Sequence, residues 1–336
     1  MWANHAMRAE HARARRLAEE FLSLAEDQGD VGATITAHRV LGWSLSLLGE
    51  LPAGKAQLEQ ALALYDPDEH RSLAYHYGQD PRVAALSILA WNVGLLGYPD
   101  TSLALGEQAL AEGEELNHAF TLAYATYVAG AAPKYLSRDL AGSRAHVDGL
   151  IAFSQQQGFP FWIAYGTGLR GALLAHDRRE QDAFMLAERA LSDLDRLGLG
   201  WFRPFVLCSL ADGHLASCRS DRASDLVARA LAIVKETNER WIEPELHRLN
   251  GEVMLLDGRH RWPEAGDCFR RAIELAQAQA AKSLELRAAS SLARLWAEQG
   301  ERQKACDLLA PVYGWFSEGF DTVDLKEARA LLGQLA

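Results

Sequence analysis

The sequence predicts an all-α, right-handed superhelical solenoid of helical hairpins with a period of about 40 residues. The main observation is internal similarity, because phrases such as EQALALY, EQALAEG, ERALSDL and ARALAIV recur along the chain. The small-apolar pairs begin at Ala61, Ala109, Leu150, Ala190, Ala230 and Ala272, at steps of 48, 41, 40, 40 and 42 residues. The second observation is that no strand-length run of alternating β-branched residues occurs. Hairpins of this size bury their apolar faces only by stacking on their neighbours.

Each repeat is predicted to be a pair of helices. In the helix predicted near 180–197, Ala183, Leu186, Ala190 and Leu194 share one face. The predicted organisation is a partial N-terminal hairpin over 1–29, about seven hairpin repeats over 30–317, and a C-terminal capping helix within 318–336. The repeats are placed at 30–65, 80–117, 118–158, 159–198, 199–239, 240–281 and 282–317. Glycine at the end of one helix and proline or aspartate at the start of the next mark the turns.

Two segments depart from the repeat. The step of 48 residues contains an insertion at 66–80 (DPDEHRSLAYHYGQD), and loops that interrupt repeats often carry function. The alternative is a lid over one end of the groove or a packing plug. The first helix of the N-terminal hairpin is only partly present, so either the chain belongs to a longer protein or this end docks onto something, such as a second copy in a homodimer.

The composition argues against a nucleic-acid or membrane partner. The formal net charge is −11 and the pI about 5.5, whereas a protein that binds a nucleic-acid backbone needs a basic surface. The apolar stretch 83–98 is interrupted by Asn92 and is short for a membrane span, and the N terminus has no apolar signal segment. We therefore expect a cytoplasmic protein.

The cysteines and histidines do not indicate a metal or a cofactor. The four cysteines, Cys208, Cys218, Cys268 and Cys306, form no CxxC pair and show no zinc-ligand spacing. Each lies in a helical phrase beside Leu, Ala or Phe, so we expect these thiols to behave as small hydrophobes. No HExxH motif or EF-hand loop is present. The expectation is a reduced chain without a metal or cofactor.

The hairpins resemble tetratricopeptide repeats, with a small residue in the first helix (Gly42, Gly251) and Ala-Leu or Ala-Ile in the second. Over roughly residues 10–336 the chain also resembles the C-terminal region of bacterial proteins that join a class III adenylate/guanylate cyclase domain to an AAA-type ATPase. The phrases that carry this resemblance are at 76–100, 239–258, 285–301 and 308–332. In that family the catalytic parts precede this region, so the resemblance implies a sensor or interaction segment without catalytic residues.

Two phrases match nucleotide-binding motifs without their context. Residues 49–56 (GELPAGKA) nearly spell a P-loop, but a helix is predicted before them and Ala56 replaces the hydroxyl residue that holds magnesium. Residues 166–171 (GTGLRG) match GxGxxG but lie inside a predicted helix, whereas the dinucleotide motif follows a strand. Close packing between neighbouring helices is the better interpretation of these glycines.

The candidate binding residues lie on or near the predicted first helices, which line the concave wall of such a superhelix. Steps of 41 and 40 residues place Tyr124, Tyr165, Phe205 and Glu245 at equivalent positions. Aromatic and arginine side chains on a concave wall are typical of a binding surface. The alternative is that the aromatic residues form a core between the hairpins. The candidate ligand-binding residues are Tyr124, Trp162, Tyr165, Arg203, Phe205, Trp241, Glu245 and Arg248.

The sequence therefore predicts a non-catalytic scaffold that binds a protein segment or an effector in its concave groove, within a regulatory assembly. Three alternatives remain open. They are a small-molecule sensor, in which the groove or the 66–80 insertion closes over a metabolite; an enzyme with an unrecognised site across helices; and a homo-oligomer formed through the N-terminal helix. No matched nucleophile, base and orienting residue supports the enzyme.

Overall fold

The protein is built from helices, and the residues that the structure describes include no strand. The structure is a computed structural model, which describes residues 1–336 except for the side chain of Glu180. The first helices are α1 (Trp2–Met7), α2 (His11–Gln28), α3 (Val31–Leu47), α4 (Leu51–Leu64), α5 (Pro67–His70), α6 (Leu73–Tyr77), α7 (Pro81–Leu96), α8 (Pro99–Glu115), α9 (Ala119–Ala125) and α10 (Ala132–Leu136). The remaining helices are α11 (Leu140–Gln157), α12 (Pro160–His176), α13 (Glu180–Leu197), α14 (Arg203–Ala216), α15 (Ser220–Thr237), α16 (Glu243–Leu256), α17 (Trp262–Ala278), α18 (Lys282–Glu298), α19 (Arg302–Gly314) and α20 (Val323–Leu335).

Consecutive helices form antiparallel hairpins that stack along the chain. The pairs α3/α4, α7/α8, α12/α13, α14/α15, α16/α17 and α18/α19 each pack against each other. In the pair that ends with α11, a π-helical turn over Thr126–Ala131 joins α9 to α10. The short helices α5 and α6 occupy the 66–80 segment. The predicted all-α solenoid of helical hairpins is therefore confirmed.

Local capping explains where many of these helices begin and end. The side chain of Asp30 accepts a hydrogen bond from the backbone of Ala33 (2.9 Å), and Asp80 caps α7 in the same way. Such carboxylates satisfy backbone N–H groups that have no partner within the helix. Several helices end at a glycine in the left-handed region, such as Gly29 and Gly158, where a side chain would strain the backbone.

Successive turns of the superhelix touch each other. The backbone N–H of Gly200 donates to the carbonyl of Met7 (2.7 Å), and Ser283 Oγ donates to the carbonyl of Gly94 (2.6 Å). Ser283 and Gly94 are 189 residues apart, which is nearly five repeats of about 40 residues. Each of these hairpins therefore lies against the chain about five hairpins further along.

The contact between turns fills the middle of the concave surface with aromatic side chains. Trp43 stacks on Phe202 with ring centroids 5.5 Å apart, and Trp91 meets Trp241 edge-on at 4.7 Å. Aromatic pairs in these geometries add to the stabilisation from burial. We call this group the aromatic plug, and its members, all buried, are Trp43, Trp91, Tyr127, Trp162, Tyr165, Trp201, Phe202, Phe205 and Trp241.

The N-terminal helix is engaged within its own chain. Trp2 Nε1 donates to Ser44 Oγ (3.0 Å), and the carbonyl of Met7 accepts from Gly200. The homodimer through this helix stays a prediction.

The two motif-like phrases lie in helical surroundings, as expected. Residues 49–56 follow α3 and enter α4. Residues 166–171 lie inside α12, where a Cβ on Gly166 would be 2.8 Å from Ile151 Cγ1 and one on Gly168 would be 2.8 Å from Val206 Cγ1. The interpretation of these glycines as close-packing residues is confirmed.

The thiols differ from the expectation at one position. Cys208 is buried, but Cys218 is exposed, at a turn where its φ is 59°. The expectation of a small buried hydrophobe is wrong for Cys218, because the helix ends before it and its side chain points out of the turn. None of the described helices is long and apolar enough to cross a membrane.

Gly42→Ala should destabilise the protein by about 1–3 kcal/mol, which is typical of overpacking. A Cβ at this position would lie 2.7 Å from Leu58 Cγ and 3.0 Å from the carbonyl of Gly54. The matched control is Gly149→Ala in the exposed face of α11, where no atom lies within 4 Å. That variant should gain up to about 1 kcal/mol from helix propensity. Urea unfolding measures both, and equal stability of the two variants would contradict the packing argument.

Candidate functional site

The aromatic plug separates two chambers in the interior of the superhelix. Phe202 lies within the plug, 5.5 Å from the ring of Trp43 and 5.7 Å from the ring of Phe205. Trp43 lines one chamber and Phe205 lines the other. We call them the apolar chamber, with a volume of about 790 Å³, and the polar chamber, with a volume of about 660 Å³.

The apolar chamber lies at the N-terminal end of the superhelix. Helices α1, α2 and α3 form one side, and the first turns of α9 and α12 form the other. The end of the 66–80 insertion, residues 76–79, lies at its edge. The aromatic side chains that line it include Trp2, Phe21, Trp43, Phe120, Tyr124 and Trp162. The insertion therefore contributes directly to this chamber.

Arg39 is the charged group of interest in the apolar chamber. It lies on α3, one turn before Trp43, and is only 7% exposed. Its Nε has no hydrogen-bond partner, and no carboxylate of the described residues lies within 4 Å of its guanidinium. The guanidinium lies 5.4 Å from the ring centroid of Trp2, a cation–π contact. Burial lowers the pKa of this guanidinium, and the charges of Tyr124 and Asp80 oppose the shift only in part.

Asp80 is the carboxylate that acts electrostatically on Arg39, but its oxygens already accept hydrogen bonds from other residues. Asp80 Oδ2 accepts from the hydroxyl of Tyr65 (2.8 Å), and its Oδ1 accepts from the backbone of Val83 (2.8 Å). Because these bonds hold Asp80 at the start of α7, its charge acts on Arg39 without forming an ion pair. The Arg39 guanidinium is left facing the chamber.

Other hydrogen-bond donors around the chamber also lack partners. Gln79 Nε2, Trp162 Nε1 and Trp201 Nε1 are buried and make no hydrogen bond. Among the described residues that line the chamber, no buried side-chain oxygen is left unpartnered. Most buried polar groups in proteins are satisfied. Arg39 therefore brings a positive charge to the chamber, whose lining also includes one exposed carboxylate, that of Glu20.

The polar chamber, in contrast, contains charges that are paired with each other. Arg248 donates two hydrogen bonds to Glu245 (3.0 and 2.7 Å) and one to Glu252 (3.1 Å). Arg287 contacts Glu245 (3.2 Å) and Asp324 (2.7 Å) and also donates to the carbonyl of Leu136. These contacts tie α16 to α18, α10 and α20 and raise the pKa values of both guanidinium groups, because the acidic partners outweigh their burial.

A second group in the polar chamber joins α10, α12 and α14. The hydroxyl of Tyr135 donates to the carbonyl of Ser209 (2.8 Å) and lies 3.1 Å from His176 Nε2. His176 Nε2 is 3.2 Å from Asp212 Oδ2. Burial opposes ionisation of the Asp212 carboxyl, but the hydrogen bond to His176 and that residue's charge outweigh it. Together with two arginines of the chamber, they lower the pKa of Asp212 to about 2.

The eight candidate residues from the sequence fall into separate places. Tyr124 and Trp162 line the apolar chamber, and Phe205, Glu245 and Arg248 line the polar chamber. Tyr165 and Trp241 lie within the plug, where Tyr165 donates from its hydroxyl to the carbonyl of Trp201 (2.5 Å) and Trp241 Nε1 donates to Glu239 (3.2 Å). Arg203, at the start of α14, pairs with Asp195 and lines neither chamber. Ligand binding by these residues stays a prediction.

Sequence reasoning missed Arg39 and Asp212, whereas residues 76–79 belong to the 66–80 insertion that it had singled out. Arg39 could have been found, because it is the single Asp, Glu, Lys or Arg in the sequence of α3 (VGATITAHRVLGWSLSL). A charged residue in a helix that is buried on all sides is unusual unless it is paired. The pairing of Asp212 with His176 had no sequence signal, since they are 36 residues apart on different hairpins.

The described residues include no group of three or more His, Cys, Asp and Glu side chains placed to hold a metal ion.

No protein-family profile matches the chain. An uncharacterised protein of Rhizobium meliloti (strain 1021) is 25% identical over 256 residues, which cover 75% of this chain. The chain spans about a quarter of the length of that curated relative. The crystal structure of yeast Tom70 is similar with a TM-score of 0.46 and 14% identity, covering 96% of this chain and 59% of that one.

Asp212→Asn should destabilise the protein at neutral pH, and the difference from wild type should shrink as the pH falls from about 5 to about 3. The folded pKa of about 2 lies below the ordinary 3.8, so the stabilisation is present above the ordinary value and is lost as the pH falls towards the folded one. Thermal melts of both proteins across this range measure it. The control is Asp225→Asn, whose side chain is 67% exposed, and a pH-independent difference for Asp212→Asn would contradict the assignment.

Proposed function

We propose that the chain is a non-catalytic, effector-binding module of a cytoplasmic regulatory protein. The apolar chamber captures the effector, and the outer helical surface meets protein partners. The observation that supports this best is the chamber itself, because its volume of about 790 Å³ lies in the range of small-molecule sites. Its tryptophan, tyrosine and phenylalanine side chains offer a large contact area at a low cost in conformational entropy.

The position of the chamber connects binding to the shape of the superhelix. Its walls come from the N-terminal hairpin, from α3, from the 66–80 insertion and from α9 and α12, which lie far apart in the sequence. A ligand that contacts all of them favours the conformation in which they are close together. Differential binding of this kind is what an effector needs in order to shift an equilibrium between two conformations.

A second candidate function is the capture of a protein segment at the polar chamber. The observation that favours it is the wall of arginine and carboxylate side chains around about 660 Å³, including the half-exposed pair Arg294 and Glu327 (3.5 Å). Charged side chains of a partner could exchange with these ion pairs. A partner bound there should lose affinity in Glu327→Lys, while binding in the apolar chamber stays unchanged.

Two observations support a regulatory setting. They are the length of the similar Rhizobium protein and the resemblance to cyclase–ATPase proteins. The similar Rhizobium protein is about four times as long as the segment that matches. The resemblance to cyclase–ATPase proteins implies a repeat segment that follows catalytic domains. We therefore propose that this module reports its occupancy to other domains or subunits.

Native mass spectrometry of the purified chain, compared with the denatured mass, is the first test. An adduct of a few hundred daltons that is lost on denaturation supports the proposal and begins to identify the effector. The second test is titration with the neutral fluorescent probe N-phenylnaphthylamine, for which we expect one saturable site per chain.

Ala3→Trp should weaken binding of this probe at least tenfold, because Ala3 is exposed at the chamber wall and the indole would fill the opening. The matched control is Ala12→Trp, at an exposed position of α2 outside the chamber, which should bind the probe as wild type does. Equal affinities for the two variants, or no saturable binding to wild type, would contradict the proposal. Cooperative thermal melts establish that both variants are folded.

A further inference from the structure

The apolar chamber contains one feature that costs free energy, which is the buried charge of Arg39. Arg39 is 93% buried, and its charge meets no carboxylate within 4 Å in the described structure. Burying a charge without a partner is costly, and replacing such a group by an apolar residue often stabilises a protein. The cation–π contact to Trp2 offsets only part of this cost.

The Arg39 guanidinium is accessible from the apolar chamber. Arg39 lines it, and the buried Nε1 of Trp162, Nε1 of Trp201 and Nε2 of Gln79 also lack partners. All of these unsatisfied groups are donors. Those three donors and Arg39 Nε are themselves covered by protein, so the outer nitrogens of the Arg39 guanidinium are the donors that a ligand in the chamber meets. A ligand that pairs with them must bring acceptor oxygens and a negative charge, and arginine binds a carboxylate or sulfonate through two parallel hydrogen bonds.

The aromatic walls of the chamber indicate the chemistry of the rest of the ligand. Trp43 lies one helical turn from Arg39, and its ring is within 6.2 Å of the ring of Tyr124. Tyr124 in turn meets Trp162 edge-on at 5.8 Å. These surfaces favour a flat or aliphatic apolar body next to the anionic group. A fully polar anion would leave the aromatic walls without contact.

We propose that the apolar chamber binds a small organic acid, with its anionic group on the Arg39 guanidinium and its apolar body against Trp43, Tyr124 and Trp162. This inference rests on the proposed function and specifies its ligand. Arg39 is the residue that selects an anion over a neutral molecule of the same shape.

The test uses two probes that share one skeleton and differ in charge. Anilinonaphthalene sulfonate carries the anionic group, whereas N-phenylnaphthylamine has the same aromatic rings without it. Wild type should bind the sulfonate at least tenfold more tightly, since a hydrogen bond to a charged group contributes about this much. Arg39→Met should remove this preference and leave the affinity for the neutral probe within about twofold.

Three further variants of the chain serve as controls. Arg170→Met removes a half-exposed arginine that pairs with Asp148 (2.7 Å) and lines neither chamber, and it should bind both probes as wild type does. Ala3→Trp should block both probes. If Arg39→Met does not melt cooperatively, Arg39→Gln removes the charge and retains a polar side chain, and it should lose the preference in the same way.

The outcomes separate this inference from the function on which it rests. If both probes bind, Ala3→Trp blocks them, and the ratio of their affinities is the same in wild type and in the neutral Arg39 variants, the anion assignment is overturned and the effector chamber stands. If neither probe binds in a way that Ala3→Trp blocks, both proposals fail. A preference for the sulfonate that disappears with the Arg39 charge supports both.

Discussion

The buried carboxylate of Glu239 holds together parts of the chain that are remote in sequence. It accepts hydrogen bonds from the backbone of Phe202 (3.1 and 3.0 Å) and from Trp241 Nε1 (3.2 Å), and it bonds His11 Nε2 (3.1 Å) across 228 residues. Its side chain is fully buried, so each of these bonds is needed to offset the loss of hydration. Phe202 adopts a φ of 58°, an uncommon value for a bulky residue, and this conformation presents its N–H to the carboxylate. The first turn of the superhelix is thereby fixed against the second.

Contact between the turns changes what the concave surface can do. In an open solenoid the first helices line a continuous groove, whereas here they meet at the aromatic plug. The plug leaves one chamber on each side, and the two differ in chemistry because they are lined by different hairpins. Near the C-terminal hairpins, arginines and carboxylates neutralise each other. Near the N-terminal hairpins, aromatic walls surround one arginine, Arg39, which has no acidic partner within 4 Å among the residues that the structure describes.

The candidate site shows what the repeat spacing can predict about the binding residues and what it cannot. Steps of 40 and 41 residues place Tyr124, Tyr165, Phe205 and Glu245 at equivalent positions, and all four side chains are buried in the structure. The repeat spacing could not distinguish residues that line the concave wall from residues in the core between hairpins, since both groups are aromatic and both recur with the repeat period. Arg203 and Arg248 looked alike in sequence, yet one pairs with Asp195 outside the chambers and the other lies in a buried ion network.

The sequence by itself determined the all-α solenoid of helical hairpins, because this depends on periodicity and on turns within one repeat. It also contained Arg39 as the single Asp, Glu, Lys or Arg of α3. Only the tertiary structure decided that turns about five hairpins apart touch and that the groove closes into two chambers. It also decided that Arg39 has no carboxylate partner among the described residues, whereas Arg248 and Arg287 do. The physical reason is that small rotations between neighbouring hairpins accumulate over about 190 residues, and no local pattern records their sum.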